Sequence, residues 1–175
     1  MSPRALLVVA LAASGACGGG GRGPSAAPAG GGGGDRAAGP PLILTLAAVD
    51  GGEIALAEHR GKVVVLHVFT TWSLAAHAEL DGLRAADALP DVVVIGLALD
   101  PEGRLLVAPW RAAADVGYLI ALADDAVRAG HGPLGRLAAV PMTIVLDASG
   151  RVFRRLERPL AEGELAPIVA AARRQ

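Results

Sequence analysis

The chain of 175 residues has a single cysteine, Cys17. That scarcity excludes an intrachain disulfide, a multi-cysteine zinc site and any dithiol redox couple of its own. Aromatic residues are equally scarce, at 3%, and much of the 53% hydrophobic fraction is alanine. Beyond the N-terminus no apolar run approaches the roughly 18 residues of a membrane-spanning helix, which excludes a polytopic membrane protein. An excess of either charge is missing too: the formal net charge is −1 and the arginines are scattered. Without a basic field to gather phosphates, nucleic acid is not an expected partner.

What is present begins with an address. Arg4 precedes the apolar run Ala5 to Ala13, and the small residues Ser14, Gly15 and Ala16 stand directly before Cys17. This is the layout of a secretory signal. Leu11-Ala12-Ala13-Ser14-Gly15-Ala16-Cys17 resembles a bacterial lipobox, which implies that Cys17 becomes the lipidated first residue of the mature protein. An ordinary signal peptide with an incidental cysteine is the alternative. Gly18 after the cysteine implies, by resemblance to other lipoproteins, the outer membrane if the organism has two membranes. From Gly18 to Gly39 the chain holds eleven glycines among small residues and prolines, a composition that cannot bury enough apolar surface to fold. The expected organisation is a signal peptide over 1–16, a flexible tether over 17–40 and a folded domain over 41–175. The glycine patterns at Gly18, Gly20, Gly23 and at Gly130, Gly132, Gly135 lack the strand-turn-helix setting of a dinucleotide site, and the second reads as a surface loop.

Within the folded part, Leu42 to Ala47 and Glu53 to Ala57 flank Asp50-Gly51-Gly52 and read as a hairpin. Val63 to Phe69 is a nearly continuous apolar run, as expected for a central strand buried on both faces. Ala76, Leu80, Leu83 and Ala86 recur at helical spacing and predict one helix over 74–88. A strand over 92–99, a helix over 104–116 and a short strand over 119–122 follow. Thr143 to Leu146 and Val152 to Leu156 flank the turn Asp147-Ala148-Ser149-Gly150, and Leu165, Ile168, Val169 and Ala172 mark a last helix. Strands alternating with helices, then a terminal hairpin and helix, predict a three-layer α/β domain around a mixed sheet with an N-terminal β-hairpin extension.

The stretch from Gly61-Lys62 through Val63-Val64-Val65-Leu66-His67-Val68-Phe69-Thr70-Thr71-Trp72-Ser73 to Glu79-Leu80 resembles the active-site strand and helix of TlpA-like thiol-disulfide oxidoreductases. These are extracytoplasmic redoxins of thioredoxin fold. The likeness continues through Val94 to Asp100 and through Val140-Pro141-Met142-Thr143 to Arg151, which is similar to the family's proline loop and hairpin. The resemblance implies a thioredoxin-like fold from about Leu42 to the C-terminus, and a cis proline at Pro141 facing the helix start.

The departure falls on the chemistry. Where the family has Cys-x-x-Cys after tryptophan, this chain has Ser73 and Ala76. A dithiol works because the helix start stabilises one thiolate while the second thiol resolves the mixed disulfide. Serine offers no thiolate and alanine resolves nothing. Thr70 and Ser73 likewise resemble the peroxiredoxin Thr-x-x-Cys with oxygen for sulfur, and an alcohol cannot pass through a sulfenic acid. His67 and Val68 replace the asparagine and aromatic residue usual in that strand.

Three functional expectations result. The first is a degenerate, lipid-anchored TlpA-like protein of the cell envelope, facing the periplasm or exterior, without redox catalysis. It keeps at most a site for an extended peptide or envelope protein where Trp72, Ser73, Val140 and Pro141 converge, with membrane contact through the lipid on Cys17. The second is a thiol-disulfide oxidoreductase or antioxidant acting through a partner's cysteines. The third is a hydrolase with Ser73 as nucleophile and His77 as base, set against Ser73 as a helix cap bonded to the amide of Ala75 or Ala76. No cofactor and no metal are expected: His59, His67, His77 and His131 show no ligand spacing, and His67 reads as a hydrogen-bonded core residue. The resemblance places Glu79 near the family's disulfide; a solvated helix carboxylate is its plain reading. Trp72 forms either an apolar groove wall or a core edge, and Trp110 and Tyr118 read as packing residues.

Overall fold

Branched aliphatic side chains in unbroken succession suit a strand covered on both faces, and every residue of Val63–Phe69 is buried. This strand lies inside the sheet of a computed structural model that describes residues 39–175. The expected signal peptide, lipidation at Cys17, the tether up to residue 38 and the first glycine pattern lie outside the described residues.

In chain order the strands are β1 (Thr45–Ala48), β2 (Glu53–Ala55), β3 (Val63–Phe69), β4 (Val92–Ala98), β5 (Leu119–Leu122), β6 (Met142–Leu146) and β7 (Val152–Leu156). The helices are α1 (Leu74–Ala78), α2 (Leu80–Asp87), α3 (Arg104–Ala113), α4 (Asp125–Arg128) and α5 (Leu165–Ala172). One mixed sheet runs β2-β1-β5-β4-β3-β6-β7. Strands β3, β4 and β5 are parallel, while β6 and β7 run antiparallel to their neighbours and the β1–β2 hairpin joins β5 antiparallel.

The period-two alternation of a strand divides β3 between two cores. Val63, Val65 and Phe69 face Leu83 of α2, Val107 of α3 and Val169 of α5. Val64, Leu66 and Val68 face Leu42, Leu56, Val127 and Leu134 on the other side. The sheet is thus the middle layer between four helices on one side and the N-terminal segment with α4 on the other. Gly96 of β4 is required by this packing, because a Cβ there would stand 2.7 Å from Ile120 Cδ1 and 3.1 Å from Phe69 Cε1.

Several boundaries differ from the sequence pattern, each for a tertiary reason. Residues 42–44 do not join β1; they cross toward the β6–β7 turn, where the Leu42 amide donates to Gly150 O at 2.8 Å. Strand β2 stops at Ala55 because Leu56–His59 wind into a 3-10 turn. The single helix over 74–88 is two helices, broken at Glu79, whose amide bonds back to Ala76 O in 3-10 fashion. Helix α3 ends at Ala113, and Asp115 adopts φ 50° as the chain reverses. Helix α4 escaped the periodicity because it has four residues; the Asp124 carboxylate caps it by accepting the Val127 amide at 2.7 Å. The second glycine pattern is a surface loop, with positive φ at Gly130, Gly132 and Gly135.

Candidate functional site

At the C-terminal end of β3 the chain leaves the sheet through Thr70, Thr71 and Trp72 and enters α1 at Ser73. The turn is anchored from the neighbouring strand. Asp100, just past β4 and 1% exposed, accepts the Thr71 amide at 3.1 and 3.2 Å and the Thr71 hydroxyl at 2.7 Å. The sequence pattern did not single out Asp100; an aspartate ending an apolar strand was the available signal. Ser73 then caps the helix, its Oγ accepting the Ala76 amide at 3.2 Å.

The proline loop arrives at the same end of the sheet. Antiparallel register pairs Val68 with Met142, so Val140 and Pro141 lie beside the last residue of β3 and the turn that follows it. The Val140–Pro141 bond is cis, the conformation implied by the resemblance. Pro141 and Ser73 are buried, whereas Val140 is 37% exposed and Trp72 is 75% exposed, which makes Trp72 a surface aromatic and not a core edge. The carbonyl and amide of Val140 belong to no backbone pair among the described residues.

Behind the turn lies a second polar group. Glu79, at the α1–α2 break, is not the solvated carboxylate of the sequence reading: it is 7% exposed, accepts the Leu160 amide at 2.7 Å and approaches His67 Nδ1 to 3.3 Å. His67 also lies 3.4 Å from Thr143 Oγ1, so it is the hydrogen-bonded core histidine that the strand pattern implied. Burial pushes the Glu79 carboxyl up to about 7, with the Leu160 amide opposing, and pushes the His67 imidazole down to about 4. Beside them an apolar groove of about 640 Å³ separates α2 from α5, lined by small residues such as Gly82, Ala86 and Ala170.

No protein-family model matches the sequence, and no curated protein matches it either. Solved structures do match. A DsbF homologue from Corynebacterium diphtheriae superposes with a TM-score of 0.67 at 18% identity, covering 75% of this chain and 85% of that one. A thiol:disulfide interchange protein of the thioredoxin family from Chlorobium tepidum gives a TM-score of 0.65 at 23% identity over 78% of this chain and 97% of that one. A secreted disulfide oxidoreductase of Mycobacterium tuberculosis, homologous to E. coli DsbE, gives 0.63 at 23% identity over 74% and 96%. The fold is thioredoxin-like. In this thioredoxin-like frame Ser73 stands at the N-cap of the helix after the central strand and Ala76, 1% exposed, at its third residue.

Neither position supports nucleophilic chemistry. The Ser73 hydroxyl oxygen is held as a cap, and His77 is not its base. His77 Nδ1 lies 2.9 Å from the carbonyl of Ser73, and Nε2 accepts the Trp110 indole N–H at 2.9 Å. A carbonyl only accepts and an indole N–H only donates, so the ring is the neutral Nδ1–H tautomer with both nitrogens engaged. The hydrolase reading is corrected accordingly: helical spacing put Ser73 and His77 on one face, but the ring turns to the backbone and to Trp110. Trp110 in turn packs on Phe69, centroids 4.7 Å apart, and Tyr118 is buried, consistent with packing roles for both. Among the described residues no three of histidine, cysteine, aspartate or glutamate gather into a metal-binding group.

Proposed function

We propose that this protein is a degenerate member of the TlpA-like thiol-disulfide oxidoreductases that has given up dithiol exchange and binds extended polypeptide at the strand-helix junction. The observation that carries the reading is the junction itself. The thioredoxin-like frame, the helix cap and the cis-proline loop are in place, while Ser73 and Ala76 supply no sulfur and the chain's single cysteine, Cys17, lies far away in sequence. An unpaired Val140 amide and carbonyl beside an exposed indole is the arrangement that β-augmentation uses: main-chain bonds for affinity, an apolar wall for selection. Without covalent capture, binding is weak, reversible and indifferent to reductant.

The domain works outside the cytoplasm, tethered through lipid on Cys17 in the cell envelope. Support comes from the N-terminal signal pattern and from the secreted oxidoreductase among the structural neighbours. No described helix is long and apolar enough to cross a membrane.

Insulin reduction by dithiothreitol tests the loss of catalysis: turbidity should rise no faster with the protein than in buffer, and acceleration would overturn the reading. A thiol-free apolar peptide should shift the Trp72 and Val140 amide signals equally with and without dithiothreitol; an unchanged spectrum at millimolar peptide removes the groove. Restoring both sulfurs, Ser73→Cys with Ala76→Cys, should yield an intramolecular disulfide on oxidation, seen as a mass loss of about 2 Da. Thiols that stay free would show that the register with Cys-x-x-Cys is wrong. Cys17→Ala should release the protein from membranes to the soluble fraction, and a wild-type protein already soluble and lacking lipid mass would contradict the anchor.

A further inference from the structure

Two ionisable side chains are buried against each other on the helix-covered face of the sheet with no fixed counter-charge among the described residues. His67 and Glu79 are 2% and 4% exposed at the side chain, and His67 Nδ1 stands 3.3 Å from Glu79 Oε2. The other carboxyl oxygen receives the Leu160 amide. Neither His67 Nε2 nor Glu79 Oε2 has a hydrogen-bond partner among the described residues, although Oε2 lies 3.3 Å from Nδ1, which is also 3.4 Å from Thr143 Oγ1.

The groups that meet the pair from the surrounding described elements carry no opposite charge to either. From β6 comes the uncharged Thr143. From the segment before α5 comes Glu164, a like charge, itself held by Arg158 at 2.5 Å. On α2, Asp81 and Arg84 pair with each other at the surface, and on β7 Arg154 lies over the Phe153 ring. Tyr118, before β5, is kept un-ionised by its burial. Among the described residues no lysine or arginine forms an ion pair with Glu79. An imidazolium facing a carboxylate here would place two charges in an apolar interior, whereas moving one proton across 3.3 Å gives an acid and an imidazole, both neutral.

We propose that His67 and Glu79 form one proton-sharing unit: a neutral carboxylic acid donating to a neutral imidazole at mildly acidic pH, converted above neutrality to a carboxylate held by the imidazole N–H and the Leu160 amide. The balance is one proton. In the neutral form Oε2–H donates to Nδ1 and the ring proton sits on Nε2. On deprotonation the Nε2 proton leaves to solvent as the shared proton passes from Oε2 to Nδ1. The ring stays neutral throughout and only its tautomer changes. The Leu160 bond becomes charge-assisted, so the segment joining β7 to α5 is tied to the α1–α2 break more strongly at high pH.

The directions of titration agree with this order. With the carboxyl raised to about 7 and the imidazole lowered to about 4, the carboxyl takes the first proton and the ring the last, the reverse of their order in water. Global stability is a poor readout, because the two contributions oppose. That of Glu79 is full below its ordinary value of 4.5 and is lost as pH rises through about 7. That of His67 is full above 6.5 and is lost as pH falls through about 4.

The decisive measurement is therefore spectroscopic. In the full-length chain labelled with 13C and 15N, the His67 ring nitrogens, the Glu79 carboxyl carbon and the Leu160 amide should titrate together with one midpoint near neutrality. Below it Nε2 carries the ring proton, and above it Nδ1 does. A His67 ring protonated on both nitrogens at about pH 5.5, or separate midpoints for the two residues, would overturn the proposal. Glu79→Gln mimics the neutral acid, donating to Nδ1 and accepting from Leu160. It should hold the proton on Nε2 even at about pH 9 and abolish the pH step at Leu160; a ring that still switches tautomer would refute the coupling. Should that variant fail to fold, the wild-type titration decides alone.

Discussion

Val63–Leu66 and His67–Ser73 are consecutive stretches of one chain, both buried except at Trp72, and they are held by different forces. The first is wholly aliphatic, and its side chains fill the two cores with nothing to satisfy but volume. The second carries His67, Thr70, Thr71 and Ser73 into the interior, and three of these polar residues meet partners: Thr143 and Glu79 for His67, Asp100 for Thr71, the Ala76 amide for Ser73. The stem is fixed by the hydrophobic effect and tolerates any chain of the right shape, whereas the head is fixed by directed bonds and loses its geometry when one acceptor goes.

The largest effect should come from the stem. Leu66, fully buried, becomes a cavity in Leu66→Ala, which should cost about 2 to 5 kcal/mol in urea unfolding. The exposed site loop should be disturbed no more than the rest of the protein, as amide spectra of the folded variant would show. Asp100→Ala should come next at about 2 to 4 kcal/mol, since it strands the Thr71 amide and hydroxyl inside. Asp100→Asn keeps an acceptor and should recover part of that loss. A cost for Asp100→Ala no greater than for a surface change would erase the distinction between stem and head.

Ser73→Ala removes one cap bond and should cost about 1 kcal/mol, well below either, because a single helix cap is worth about that much. Trp72→Ala should alter stability by no more than about 0.5 kcal/mol, given its exposure, yet should abolish the peptide-induced shift at Val140. Stability loss comparable to Leu66→Ala would mark Trp72 as a packing residue and remove the groove wall.

The stem was legible in the sequence and the head only in part. An unbroken apolar run bounded by Gly61-Lys62 and Thr70-Thr71 has one physical solution, a central strand, and β3 occupies that run. The helix cap at Ser73 was also legible, because capping is local: the donor lies three residues along the same turn. Glu79 was not, since helical periodicity puts it beside exposed positions and only the arrival of residues 157–164 and of β3 shows that its carboxyl is enclosed. Asp100 was missed for the same reason, its partners standing 29 residues away across a parallel strand pair.

Composition and spacing by themselves determined that this chain builds a mixed α/β sheet and that no dithiol can operate at its helix start, because strand burial and the count of sulfur atoms are properties of the residues alone. Only the tertiary structure decided that His77 turns to Trp110 and the Ser73 carbonyl, that Trp72 faces solvent and that His67 and Glu79 meet in the interior. Those outcomes depend on which elements close over a side chain, and a residue's own letter and its neighbours in sequence do not encode what arrives from the far side of the sheet.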